Sequence, residues 1–184
     1  TKSIGGHGDA LGGSVTDTGL YDWSTYPHIF PAYRQGSSKG WGLQQVRKKG
    51  LRDMGATLSS HAAHQLAVGA ETLALRMDRI TENARKVAEY LNAHAKVKWV
   101  NYAGLPDHRD NALAQKYMNG TPSAILSFGL KEGYEAGVRF YDALKIFKRL
   151  VNIGDAKSLA CHPASTTHRQ MTLEEQAKAG VKPE

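Results

Sequence analysis

The sequence predicts an α/β or α+β fold, because helical and strand periodicities alternate along the chain after residue 59. Three observations carry this. Leu66, Ala70, Leu73, Met77, Ile80, Ala84, Val87 and Leu91 are spaced alternately four and three apart, which is the apolar face of an amphipathic helix. Residues 96–102 then alternate polar and apolar as a half-buried strand does, and 123–129 form a short apolar run of strand length. A second amphipathic stretch over 132–148 follows, with Tyr134, Val138, Tyr141 and Leu144 on its expected inner face.

Taken in order, the first twenty residues carry Gly5, Gly6, Gly8, Gly12, Gly13 and Gly19. Such density requires tight turns or a close approach of backbone to something else. Residues 12–17 read as a short strand entered from glycines, and 21–42 lack a period and read as a loop. The striped helix occupies 60–94, with Ser59 or Ser60 as its cap. A helix of about 30 residues is longer than the globular norm, so it is expected to join two parts of the molecule, with a free coiled coil as the alternative. Gly104-Leu105-Pro106 turns, 110–118 is a short helix, and 149–153 a strand. Thr172 and Glu175 form a capping box for a last helix that Gly180 stops. The expected division is 1–58, a linking helix over 59–94, and 95–184.

Among the 184 residues, 24 Lys and Arg against 17 Asp and Glu leave a net charge of +7. The densest group, Arg47, Lys48, Lys49 and Arg52, reads as a solvated helix face. No zinc-finger spacing or RNA-binding aromatic strand accompanies it, so a basic nucleic-acid module is a remote alternative. A positive surface also suits a phosphorylated or carboxylate ligand. No apolar run reaches the roughly 18 residues of a membrane-spanning helix, so no membrane partner is expected. Cys161 is the single cysteine; it excludes a disulfide framework and makes a reduced, cytoplasmic setting the default. The opening on Thr1 and the stop just after a helix suggest part of a longer chain.

Two stretches bear chemistry. Thr1-Lys2 is followed closely by Gly5-Gly6-His7-Gly8-Asp9. Schiff-base chemistry needs a lysine held against a carbonyl cofactor, an adjacent hydroxyl can hold a cofactor phosphate, and glycines let backbone come close. The glycine spacing fits neither the dinucleotide fingerprint nor the P-loop. Residues 155–168 form a polar loop dense in hydroxyls, whose simplest role is to order itself. Cys161 beside His162 suggests a thiol nucleophile, although such pairs usually lie far apart in sequence. His162 and His168 as metal ligands lack a third partner, so no metal is expected.

Residues 1–13 resemble the cofactor-lysine segment of the Cys/Met-metabolism family of pyridoxal-phosphate enzymes. Three further stretches match in order: Gly69-Ala70-Glu71-Thr72-Leu73-Ala74-Leu75-Arg76-Met77, Val100 to Pro106 with His108, and Gly154 through His168. The resemblance implies an aspartate-aminotransferase-like α/β fold of type I, of which this chain would form the end of the large domain and most of the C-terminal α/β domain. It implies pyridoxal 5'-phosphate as cofactor, Lys2 as the Schiff-base lysine, Thr1 as a phosphate contact and Ser158 as a contact to the substrate carboxylate. His7 and Gly8 take an architectural role.

The family's first half, with an aromatic over the cofactor ring and an Asp at its pyridine nitrogen, lies outside these residues. So does the strand bearing a carboxylate-binding arginine. This segment alone is therefore expected to be inactive without the N-terminal half. The glycine pattern and Gly154-Asp155-Ala156-Lys157-Ser158 are most similar to the O-acetylhomoserine sulfhydrylase branch. Asp9, where Thr is common, and the 21–52 loop depart from it. The implied reaction is γ-replacement on O-acetylhomoserine by sulfide or a thiol, giving homocysteine or methionine and acetate, in a homotetramer. The alternative is γ-elimination by a methionine or cystathionine γ-lyase.

Overall fold

A computed structural model describes residues 1–182 and 184. The helices, in chain order, are α1 (Lys2–Gly5), α2 (Trp41–Gln45), α3 (Ser60–Glu71), α4 (Leu73–Ala93), α5 (Asn111–Met118), α6 (Tyr134–Asp142) and α7 (Leu173–Lys178). The strands are β1 (Val97–Asn101), β2 (Ser127–Leu130), β3 (Lys148–Arg149) and β4 (Leu159–Ala160). The chain divides into two compact units, one of residues 10–65 and one of residues 1–9 with 66–184.

In the unit of residues 10–65, the aperiodic loop folds into 3-10 turns and α2, then a π-helical stretch Val46–Asp53. Gly42 is required there, because a Cβ at that position would lie 2.5 Å from a ring carbon of Trp23. Gln45 bridges back to the loop, accepting from Phe30 N at 2.8 Å and donating to His28 O at 3.3 Å. Ser59 Oγ accepts from Ala62 N at 3.2 Å, so Ser59 is the residue that caps α3. The strand expected over 12–17 is absent as a paired element. A strand needs a neighbour for its backbone groups, and no described residue pairs with this segment, in which Val15 is exposed.

In the other unit, β1 and β2 pair antiparallel and β3 and β4 pair parallel. The core gathers Ala84 and Ala88 of α4 with Tyr102 and Leu105, flanked by Val100 and Leu126. Alanines on this face let α4 lie close against β1. The buried face runs through Thr81, Ala84 and Ala88, while Ala70 of the expected stripe is exposed. Thr81 is accommodated because its hydroxyl donates to Met77 O at 2.7 Å. In α6 the deepest residues are Ala136 and Gly137, while Tyr134 is exposed. The helix begins only after Gly133, whose φ of 74° places it in the left-handed region. The strand expected over 149–153 shortens to β3, because Asn152 and Gly154 turn the chain there. At α7 the capping box forms as expected, with Thr172 and Glu175 satisfying each other's backbone N–H.

The helix expected as one piece over 60–94 is two, broken at Thr72. The cause is a side chain inserted at the joint. Arg76 Nη2 donates to Gly69 O at 2.6 Å, and Thr72 Oγ1 donates to the same carbonyl at 3.4 Å. Gly69 is buried and lies against Gly5 backbone to backbone. A Cβ on Gly69 would lie 2.8 Å from Gly5 Cα. Helix propensity alone would make Gly69→Ala stabilising by about 1 kcal/mol. Backbone cannot yield as a flexible side chain can, so overpacking decides the sign. Gly69→Ala is expected to lower stability by about 1–3 kcal/mol, read from urea unfolding of the full-length protein; a rise in midpoint would refute the crossing.

Candidate active site

Lys2 opens α1, a single helical turn. Gly5 N donates to Thr1 O and Gly6 N donates to Lys2 O, each at 2.9 Å. Gly6 then reverses the chain at φ 77°, a conformation that strains residues with a Cβ. Thr1 is the N-cap residue, but its hydroxyl makes no capping bond. The Lys2 side chain is exposed, and no salt bridge involves it among the described residues.

One face of this turn is gripped by Arg76 from α4. Its Nη1 donates to Ser3 O at 2.8 Å and its Nη2 to Ile4 O at 3.2 Å, while Nε donates to Thr72 Oγ1 at 3.0 Å. Gly6 provides the room: a Cβ there would lie 2.6 Å from Arg76 Nη1.

The other face meets the loop that carries Ser158. Ala156 N donates to Gly6 O at 2.7 Å. Gly154, at φ 85°, packs on the α1 backbone, where a Cβ would lie 2.6 Å from the Lys2 carbonyl carbon. Gly8 leaves space for the amide of Asn152 in the same way, so Gly5, Gly6 and Gly8 serve close packing of this chain on itself, while Gly13 and Gly19 face open space. The loop is tied internally by Asp155, which accepts from Lys157 N and from Asn152 Nδ2, each at 2.8 Å, and pairs with Lys157 Nζ at 3.3 Å. Those bonds, the Lys157 amide first and then the Asn152 amide, hold the Asp155 carboxyl below its ordinary range against the opposing effect of burial. Ser158 is exposed, and its carbonyl accepts from Lys148 N at 2.9 Å. Thus the turn bearing Lys2 adjoins the root of the Ser158 loop through the backbone of Lys2 and Gly6.

The remaining motifs are structural in their contacts. Tyr102 and Leu105 are buried in the core, Tyr102 OH donates to Ser123 O at 3.0 Å, and burial pushes its phenol upward. His108 pairs with Asn101 Oδ1 at 2.7 Å. Cys161 Sγ faces Thr166 Oγ1 at 3.2 Å and His162 Nδ1 faces Ser165 Oγ at 2.7 Å, so each engages a hydroxyl and the two do not form a thiol–imidazole pair. Among the described residues no cluster could hold a metal ion. Hydroxyl ordering of the loop is what the geometry displays, with Thr166 Oγ1 donating to His162 O at 2.8 Å.

Sequence reasoning missed Arg76, Asn152 and Asp155 as site-building residues. Gly69, Thr72 and Arg76 at helical spacing were a usable signal for the first, since a helical glycine and an arginine on one face admit a second backbone and then bind its carbonyls. For Asp155 the charge loss in Asp155→Asn gives a pH test. A depressed carboxyl contributes stability that is present above its ordinary pKa of about 4 and lost as pH falls through the folded value. Asp155→Asn is therefore expected to lower the melting temperature of the full-length protein at neutral pH, with the gap closing below about pH 4. A pH-independent gap would show that the charge is irrelevant.

The profile of the family described as Cys/Met metabolism PLP-dependent enzyme matches residues 1–184. The chain is 44% identical over 194 residues to O-acetyl-L-homoserine sulfhydrylase 1 of Thermus thermophilus, covering 100% of this chain and 46% of that protein. It is 43% identical over 202 residues to O-acetyl-L-homoserine sulfhydrylase of Leptospira meyeri, again covering 100% of this chain and 46% of the relative. A structure from Campylobacter jejuni described as an O-acetylhomoserine (thiol)-lyase, solved with N'-pyridoxyl-lysine-5'-monophosphate, superposes with a TM-score of 0.81 at 36% identity, covering 99% of this chain and 46% of that one. Cystathionine γ-synthase of Xanthomonas oryzae, in complex with aminoacrylate and cysteine, superposes at 0.74 and 34% identity, covering 99% and 41%. The chain thus spans less than half the length of these relatives. A match over every residue, with a shared fold, establishes that this chain belongs to the Cys/Met-metabolism family of PLP-dependent enzymes, whose fold type I it forms in part.

Proposed function

We propose that the protein of which this chain is part exchanges the acetoxy group of O-acetylhomoserine for sulfide or a small thiol, giving homocysteine or methionine and acetate. The observation that carries this reading is the Lys2 turn, pinned by Arg76 on one side and by Gly154 and Ala156 on the other. The similarity to sulfhydrylases supports this reaction within the family. The donor set fits pyridoxal 5'-phosphate: an exposed primary amine on Lys2 for its aldehyde, and beside it the Thr1 hydroxyl, unused as a cap, for its phosphate. Bound there, the cofactor supplies an electron sink for the carbanion at the substrate Cα.

The residues then divide the work. Lys2 Nζ would take the proton from Cα, pass it to the electron sink, and then take a proton from Cβ on the same face of the substrate. Loss of the Cβ proton forms a Cβ=Cγ double bond as the C–O bond at Cγ breaks and its electron pair leaves with acetate; the thiolate sulfur adds at Cγ, and Lys2 returns a proton to Cβ. Lys2 then returns the proton to Cα. Ser158 Oγ donates to the substrate carboxylate and fixes the Cα–H toward Lys2. Thr1 Oγ1 holds the phosphate end of the cofactor. By family resemblance the whole enzyme works as a homotetramer with its N-terminal half present, and in the cytoplasm. No helix among the described residues is long and apolar enough to cross a membrane.

Borohydride reduction of the full-length holoprotein followed by peptide mapping is expected to label Lys2; a label on another lysine would end this reading. Lys2→Ala is expected to keep the fold and lose turnover. Ser158→Ala is expected to raise KM for O-acetylhomoserine roughly tenfold, the loss of one bond of about 1.5 kcal/mol to a charged group, with KM for the thiol unchanged. Equal KM values in variant and parent would remove Ser158 from the carboxylate site.

A further inference from the structure

The turn that bears Lys2 does not hold itself. It is four residues long and closes on two backbone hydrogen bonds, Gly5 N to Thr1 O and Gly6 N to Lys2 O. An isolated turn of that length has no stability of its own, because nucleation fixes several residues for very few bonds. The two carbonyls that follow Lys2, those of Ser3 and Ile4, are both taken by the Arg76 guanidinium. The same guanidinium is braced on its own helix by Gly69 O at 2.6 Å and Thr72 Oγ1 at 3.0 Å. Arg76 therefore ties the lysine turn to the α3–α4 joint with four hydrogen bonds to neutral oxygens.

We infer that Arg76 is a positioning residue for the reaction: it sets the direction in which Lys2 leaves the backbone, acting only through the Ser3 and Ile4 carbonyls. This rests on the reading of Lys2 as the cofactor lysine. The planar fork is essential to the role, because a lysine offers a compact point charge in place of a fork that spans neighbouring carbonyls. The glycines complete the device. Gly6 vacates the space that Nη1 and Cζ occupy, and Gly69 lets its helix approach until the guanidinium spans both partners.

The test uses the full-length holoprotein with Arg76→Ala, Arg76→Lys and Thr72→Val. Three readouts are taken: melting temperature, the visible circular dichroism of the lysine-bound cofactor, and kcat with KM for the thiol. Arg76→Ala is expected to reduce kcat ten- to a hundredfold, in the range that a misplacement of about 1 Å produces. KM for the thiol should stay unchanged and the visible dichroism should weaken, since that signal reports how the cofactor is oriented. Arg76→Lys should fall between, and Thr72→Val should shift the same readouts less. If Arg76→Ala does not fold, the other two variants decide by the same signals. A lowered melting temperature with unchanged visible dichroism and kcat would overturn the inference and leave Arg76 a stabilising residue only. Borohydride mapping of the parent separates the two claims. A label on Lys2 with unaltered variants removes only the role of Arg76, whereas a label elsewhere removes the Lys2 reading and this inference with it.

Discussion

Gly5 and Gly69 touch backbone to backbone, and the geometry around Lys2 depends on that contact. Because Gly69 carries no Cβ, the α3–α4 joint approaches the α1 turn closely enough for one side chain to reach across. Arg76 is that side chain. It binds Ser3 O and Ile4 O on the turn and Gly69 O on its own helix, and it fills the space that Gly6 leaves open. A larger residue at Gly69 would separate the backbones and pull the guanidinium away from both carbonyls, whereas a Cβ on Gly5 would meet only the Leu66 side chain, at 3.2 Å. The helix break at Thr72 belongs to the same arrangement, since the carbonyl of Gly69 is committed to Arg76 and Thr72.

The second hold on the turn is of a different kind. Residues 152–158 lean on α1 through backbone alone, by the Ala156 N to Gly6 O bond and the close seat of Gly154. What keeps that loop in shape is Asp155, a carboxylate whose side chain is 4% exposed and whose oxygens are met by the Lys157 amide, the Asn152 amide and the Lys157 ammonium. A buried carboxylate is tolerated only when it is satisfied in this way. Residues 152–157 are therefore tied together by these bonds, while the Ser158 side chain that follows is exposed and its backbone joins the β3–β4 pair.

The parts of this arrangement that repeat along the chain were legible in the sequence, and the parts made by single distant bonds were not. The four-and-three spacing over 66–91 marked the helices, and Thr172 with Glu175 marked a cap, because both are local patterns. The mixed helix and strand content was legible for the same reason. Arg76 bonds carbonyls 72 and 73 residues away, and no periodicity announces such a bond. The glycines near Lys2 signalled close approach correctly, but a sequence does not state what approaches. Here it is a helix, an asparagine and a loop of the same chain. Residues 12–17 have the composition of a strand, yet pairing is a property of two segments, and composition describes only one.

A lysine that serves a carbonyl cofactor has two duties in turn, as a tether and then as a carrier of protons between substrate atoms. The first requires a fixed origin and the second requires reach. In the proposed reaction this chain would separate them along one residue, Lys2. The Lys2 backbone is clamped through the neighbouring carbonyls of Ser3 and Ile4 on one side and through Gly6 O on the other. Its four-carbon stem stays exposed, with no carboxylate of the described residues to hold the amine. A grip on the neighbouring carbonyls sets where the arm starts and leaves its length free to swing between the substrate atoms it serves.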